Sequence, residues 1–263
     1  MTRQDEFPTI RVLHQMARTG GTLLAKCLAS MRGVILLSEI HPKGLSKFSP
    51  LTQARKWYPG LLDEGEIGRL FATDPSFREV IMYINQKAQA RGERLLVRDW
   101  SHLDFTGVPH VPTPSYRLAT AEALAPDSRL VHAACVRHPI DQWLSVSKLT
   151  NMSDRLQMEA FMQGCRHFAE AATDIGFVRY EDFTQNPDAI LRVICEKLEI
   201  DFDPSYRERW ADYHNVTGDD GRYSNSREIK QIAWGEVPPE LLSRLANNRD
   251  YRMICELLGY PFP

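Results

Sequence analysis

One pattern limits what this chain can fold into more than any other. Short apolar runs at residues 10–15, 34–39, 94–100 and 130–137 are separated by longer stretches whose apolar residues recur at helical spacing. A fifth run, GFVRY at 176–180, is shorter but similar. Residues 22–31 set Leu23, Leu24, Cys27 and Leu28 on one face, and 77–91, 155–173 and 187–198 show comparable periods. Strands alternating with helices predict an α/β chain in three layers, with a mainly parallel sheet flanked by helices. Ligands of such sheets bind outside the carboxyl ends of the strands, so the residues just after each strand are the informative ones. Residues 45–74 and 108–115 are rich in Pro, Gly and aromatics and show no clean period. They read as loops that either shape a binding pocket or run over the surface.

No repeat, low-complexity tract or linker interrupts the 263 residues, so a single domain over 1–263 is expected. The hydrophobic (43%) and charged (25%) fractions are those of a globular protein with a sizeable core. A net charge of −2 argues against a protein that binds nucleic acid by neutralising phosphates. Cys27, Cys135, Cys165, Cys195 and Cys255 lie far apart and form no C-x-x-C pair. They read as buried free thiols of a reducing compartment rather than as zinc ligands. The opening residues carry acids and no apolar signal core, and no stretch approaches the ~20 apolar residues that a bilayer span needs. A cytoplasmic chain with neither membrane nor nucleic-acid partners is the expectation.

The first strand runs into Ala17-Arg18-Thr19-Gly20-Gly21-Thr22 and then a helix opening with Leu23. Two glycines allow a sharp turn that brings backbone N–H groups close to an anion, and the helix adds its unpaired amides and positive dipole end. Thr19 and Thr22 bring hydroxyls and Arg18 a fixed charge, which together suit a phosphate-like group. A nucleotide-triphosphate P-loop needs G-x-x-x-x-G-K-[ST]. Here no Lys follows the second glycine, and Lys26 falls one turn into the helix. A plain tight turn with a helix cap is the alternative reading.

The fourth strand ends in Cys135-Val136-Arg137-His138-Pro139, with Asp141 and Ser145 following. Pro139 suits a helix start. Arg137, at an open strand end, and Ser145, about two turns into that helix, would clamp a terminal phosphate dianion. An ion pair of Arg137 with Asp141 is the plainer alternative. About forty residues on stands V-R-Y-E-D-F-x-x-N-P, from Val178 to Pro187, followed by an amphipathic helix. V-R-H-P-x-D-x-x-x-S with this second motif and the opening R-T-G-G-T-L-L resembles the PAPS-dependent sulfotransferase family, whose fold is P-loop NTPase-like. The resemblance covers residues 9–22, 129–147 and 176–235.

It implies that Arg18, Thr19, Gly20, Gly21, Thr22 and Leu23 hold the 5′-phosphosulfate of PAPS, and that Arg137 and Ser145 hold the 3′-phosphate. The family loop is closer to [KR]-S-G-T-T, so Gly21 removes a hydroxyl at that position. Residues 214–222 look like the family's late loop over the nucleotide, with Gly218 and Arg222 as contacts. The implied reaction moves a sulfuryl group to a hydroxyl or amine of a small molecule or glycan, releases PAP and requires no metal. Sulfuryl transfer needs mainly positioning and charge, here from Arg18, plus a base for the acceptor proton. Glu39 is the first candidate, then His41, Asp99 and His102, all near strand ends. A relative that binds PAP or a sulfated ligand without catalysis and a P-loop nucleotide kinase are the alternatives.

Overall fold

The computed structural model describes residues 7–44, 48–149, 152, 154–219, 227–232 and 236–262. The elements that frame the site follow the alternation read from the sequence. Thr9–Gln15 (β1) leads to Gly21–Ala29 (α1) and Val34–Ile40 (β2). Pro50–Trp57 (α2), Glu64–Ala72 (α3) and Phe77–Ala90 (α4) precede Arg94–Asp99 (β3), then His102–Thr106 (α5) and Ala119–Leu124 (α6). Arg129–Val136 (β4), Pro139–Val146 (α7) and Met158–Ile175 (α8) lead to Phe177–Arg179 (β5). Tyr180–Gln185 (α9), Pro187–Lys197 (α10), Tyr206–Arg209 (α11), Pro239–Ala246 (α12) and Arg249–Leu258 (α13) complete the chain.

Among the described residues, five strands form one sheet in the order β2-β3-β1-β4-β5, every pairing parallel. Such strands are covered on both faces, which is why VILLSEI in β2 is almost continuously apolar. On one face α1 packs Leu24 and Leu28 against Leu13, Leu36 and Leu96, with Ile194 of α10 beside them. On the other, α2 and α4 cover Val12, Ile35 and Val97, while α8 and α13 cover Val136. From β1 the chain first builds toward the β2 edge and later, from β4, toward the other. The loop after β1 therefore opens at the point where the strand order reverses, the position that binds ligands in open α/β sheets.

The strand and helix boundaries fall close to those expected from periodicity, with one correction. Residues 45–74 contain the helices α2 and α3 rather than loop alone. Each is only two turns long, too short to display a period in an 11–18-residue window. Local chemistry marks α2 better than hydropathy does: Pro50 opens it and the Ser49 hydroxyl accepts from Thr52 N at 3.3 Å. Residues 108–115 are irregular, as expected. The five cysteines are free and buried, and burial pushes the thiols of Cys135 and Cys195 up to about 12. No helix among the described residues is long and apolar enough to cross a membrane.

Candidate active site

The loop between β1 and α1 owes its shape to two glycines with different physical demands. Gly20 caps α1 in the left-handed region at φ +81°, and a Cβ there would run into the Tyr180 ring. Gly21 has ordinary helical backbone, but its Cβ position is filled by the side-chain amide of Gln15. Gln15 satisfies that amide with its oxygen turned to Arg98, where it accepts from Nε and, at 2.6 Å, from Nη2. The departure from the family loop at Gly21 thus has a local cause. The bulk that a larger residue would add is already supplied from β1.

The first-turn amides of Gly21, Thr22 and Leu23 have no acceptor within α1. The Leu23 side chain is wholly buried in the core, so only its amide can serve a ligand. Thr19 is buried, and its hydroxyl donates to Met16 O at 3.0 Å, bracing the turn. The half-buried Thr22 hydroxyl accepts from Arg98 Nη2 at 2.9 Å, which leaves its own proton for an oxyanion.

Arg18 also has positive φ, 67°, and its Nε donates to Ser145 Oγ at 2.7 Å, joining the loop to α7. Arg137 stands beside them but not at the open strand end the sequence suggested: it is only 4% exposed. Its guanidinium donates to Arg18 O at 3.2 Å and Ile232 O at 3.1 Å, and lies 4.6 Å from the centroid of the Tyr180 ring. Asp141 is farther away, at 3.8 Å. Residues 230–232 close over the strand end because Tyr180 holds them, accepting from Ile232 N at 3.3 Å. Glu181, from the same motif, accepts from His138 N at 3.0 Å and from the Tyr260 hydroxyl at 2.9 Å, so it ties elements together outside the cavity.

The four candidate bases separate cleanly. Glu39 lines the cavity with Gly20, Gly21 and Thr22. It occupies a bulge, because the β2–β3 register shifts between Ser38 and Ile40, and it takes φ 55°. That turn aims the carboxylate into the cavity, where Oε1 lies 3.6 Å from Arg98 Nη2. The other three side chains are wholly or almost wholly buried and outside the cavity lining. His41 packs its Nε2 3.1 Å from Asp104 and accepts from Lys43 N through Nδ1 at 3.0 Å. Asp99 accepts from Ser101 and Thr120, each at 2.6 Å, and faces His14 Nδ1 at 2.7 Å. Burial alone would raise the Asp99 pKa, but these three partners outweigh it and hold it below its ordinary value. His102 meets Thr106 Oγ1 at 3.0 Å. Alternation turns Asp99 to the face opposite its neighbour Arg98, whereas His41 lies beyond the end of β2 and His102 on α5, and the bulge brings Glu39 alone of the four to the cavity.

Burial lowers the His102 pKa from 6.5 to about 4. The unfolded imidazole accepts a proton near pH 6.5, and the native one does not until near pH 4. Its stability contribution is therefore complete above the unfolded pKa and lost as pH falls through this window, about 3 kcal/mol in full. Urea unfolding at pH 7 and pH 4.5 should show this loss, and His102→Gln should flatten the pH dependence. An equal slope in the variant would place the acid sensitivity elsewhere.

Two residues the sequence did not single out organise the site. Arg98, at the end of β3, donates to Ser38 Oγ, Thr217 O and Thr22 Oγ1, each at 2.9 Å, and to Gln15, and forms a looser ion pair with Glu39 at 3.6 Å. Burial lowers its pKa from the ordinary value, and Glu39 partly offsets this. Its position after an apolar run was the available signal. Lys26 is fully buried and pairs with Asp219 of the late loop at 2.7 Å. Nothing in its sequence context announces that partner, 193 residues away. The late loop is further fixed by Thr217 N donating to Ser38 Oγ at 3.1 Å. Gly218, at φ 71°, sits so that a Cβ would come within 3.1 Å of Glu39 Oε1. Arg222 lies outside the described residues.

These parts surround a cavity of about 420 Å³ that also reaches Phe48, Trp100, Pro109, His110, Leu149 and Met152. One end is rich in fixed positive charge and backbone amides, with the Glu39 carboxylate beside it and Asp219, paired with Lys26, also on the lining. That arrangement can bind a dianionic ester and accept a proton next to it.

Comparison with solved structures shows the same fold in proteins of distant sequence. The sulfotransferase domain from the Synechococcus PCC 7002 olefin synthase matches with a TM-score of 0.68 and 21% identity, over 98% of this chain and 97% of that one. The sulfotransferase domain from the curacin biosynthetic pathway matches with 0.61 and 16%, over 97% and 99%. No curated protein matches the chain. The sequence model described as the sulfotransferase family matches residues 15–204, from the last residue of β1 to the turn before α11. That span takes in the glycine loop, Glu39, Arg98, Arg137 and Ser145, and the chain belongs to the sulfotransferase family.

Proposed function

We propose that this protein transfers a sulfuryl group from PAPS to a hydroxyl or amine acceptor and releases PAP. The observation that carries the reading is the convergence of the glycine-loop amides, Arg18, Arg98, Arg137 and Glu39 on one cavity. The donor set fits a phosphosulfate. Backbone approaches closely where a Cβ at Gly20 or Gly21 has no room, and the amides of Gly21, Thr22 and Leu23 face an anion at a helix N-terminus. PAPS supplies an activated sulfuryl group on a phosphate leaving group. Arg18 and Arg98 hold positive charge against the oxygens where negative charge collects, and Thr22 donates its hydroxyl proton to one of them. Arg137 and Ser145 lie on the β4 side of the loop, where a 3′-phosphate is read by a buried guanidinium and a hydroxyl. Glu39, on the β2 side, takes the acceptor proton.

PAP is expected to raise the melting temperature, with about 2–3 kcal/mol of stabilisation at a hundredfold excess over Kd. 5′-AMP and Mg²⁺–ATP, which lack the 3′-phosphate, are expected to do much less. Equal stabilisation by PAP and 5′-AMP would sink the assignment of Arg137 and Ser145. Turnover of labelled PAPS across an acceptor panel then separates an enzyme from a non-catalytic PAP-binding relative.

A further inference from the structure

An acidic residue, Asp219, stands on the lining of the donor site proposed above, and what it implies rests on that reading. A negative group on the wall of an anion site opposes its ligand. A Cβ on Gly218, one residue earlier, would lie 3.1 Å from Glu39 Oε1 and 3.6 Å from Thr22 Oγ1. Asp219 is therefore on the Thr22 side of the cavity, where the 5′ end of the donor binds. Arg137 and Ser145, for the 3′-phosphate, lie on the β4 side. Lys26 meets Asp219 from behind. It sits one turn after Thr22 on α1, wholly buried and outside the cavity lining, and donates from Nζ to Asp219 Oδ2 at 2.7 Å. Its helix neighbours Leu23, Leu24, Cys27 and Leu28 are core residues, so this ammonium is costly to bury unless a counter-charge meets it.

We infer that Lys26 tunes the donor site without touching the donor: it offsets the Asp219 charge, so that the Thr22 end of the cavity accepts a 5′-phosphosulfate. Lys26 is thus a positioning residue that acts through Asp219. The late loop does not depend on this pair for its course up to Thr217. Asn215 Nδ2 donates to Trp57 O at 3.1 Å, Thr217 N to Ser38 Oγ at 3.1 Å, and Arg98 to Thr217 O at 2.9 Å. Two apolar side chains could supply the packing of a buried ion pair equally well. The two partners differ in setting, with the Asp219 side chain 13% exposed and that of Lys26 0%. The carboxylate is the half that meets the ligand, and the ammonium behind it decides how much of its charge the ligand encounters.

The test measures binding of PAP, 5′-AMP and 3′-AMP by calorimetry in the wild type, in Lys26→Met and in the double variant Lys26→Met/Asp219→Asn. Lys26→Met is expected to weaken PAP by about 10–100-fold, the size of one unit charge acting a few ångströms away in a partly screened cavity. 5′-AMP, with its phosphate at the Thr22 end, should weaken by a similar factor, and 3′-AMP by less than about threefold. Adding Asp219→Asn removes the opposing charge and is expected to bring PAP back to within about threefold of wild type. An unchanged PAP affinity in Lys26→Met overturns the inference and leaves the donor site standing. A loss for 3′-AMP as large as for PAP, or a double variant as weak as Lys26→Met, overturns it too, because the lysine would then hold the shape of the site and not its charge. If Lys26→Met does not fold, the double variant decides alone: PAP affinity near wild type supports the inference, and a loss of about tenfold or more overturns it. Failure of the wild type to bind PAP would remove the donor reading, and this inference with it.

Discussion

Glu39→Gln is expected to lower sulfuryl transfer by about 10²–10⁴-fold, the usual contribution of a general base, while PAP affinity stays near wild type. Gln keeps the shape of the side chain and a carbonyl oxygen for Arg98, but it cannot take the acceptor proton. The expectation is specific to Glu39 because only this one of the four acidic or imidazole candidates lines the cavity. Its backbone holds φ 55° in a bulge, a conformation that costs about 1–3 kcal/mol and persists only where the surroundings impose it. Single variants His41→Gln, Asp99→Asn and His102→Gln, assayed alongside, should lose stability more than turnover per folded molecule. Near-normal turnover in Glu39→Gln, with a collapse in one of the other three, would move the base to that residue.

Arg98→Met should be the most damaging single change in the site. The guanidinium satisfies Ser38, Thr217, Thr22 and Gln15 at once and faces Glu39, all in a buried setting. Methionine replaces much of the volume but leaves acceptors on Ser38, Thr217, Thr22 and Gln15 without their donor, and each buried group left unsatisfied costs about 1–3 kcal/mol. The late loop loses its anchor at Thr217 O and the glycine loop its support at Thr22 and Gln15, so PAP affinity should fall along with the urea midpoint. Arg98→Lys should be intermediate, because an ammonium keeps the charge but cannot reproduce the planar fork that reaches several acceptors together. An unchanged midpoint in Arg98→Met would mean that these contacts carry little energy.

Much of this architecture is legible in the sequence. The apolar runs that became β1 to β4 need no tertiary information, since strands of a buried parallel sheet are apolar on both faces. The glycine loop is also local: a left-handed turn at Gly20 directly before a helix restricts which residues can stand there, whatever surrounds it. α2 and α3 were missed for a local reason as well. Two turns give too few residues for a period to emerge, and the cap at Ser49 was the better guide.

What required the tertiary structure is direction and partnership. Glu39, His41, Asp99 and His102 are equivalent in sequence terms, each a titratable group near a strand end. A one-residue step separates Asp99 from Arg98 and reverses its side chain, the chain leaves β2 before His41, and the bulge at Glu39 is visible only once β2 is paired with β3. Arg137 looked like an open strand end because the sequence does not show that residues 230–232 fold back over it. The sequence by itself determined the alternation of strands and helices, the glycine turn and the family, because apolar period and glycine geometry act over a few residues. The tertiary structure alone decided that Arg98, Lys26 and Tyr180 hold the site together and that Glu39 faces the cavity. Charge pairing and ring packing act between groups that meet only in space, as Lys26 and Asp219 do across 193 residues of chain.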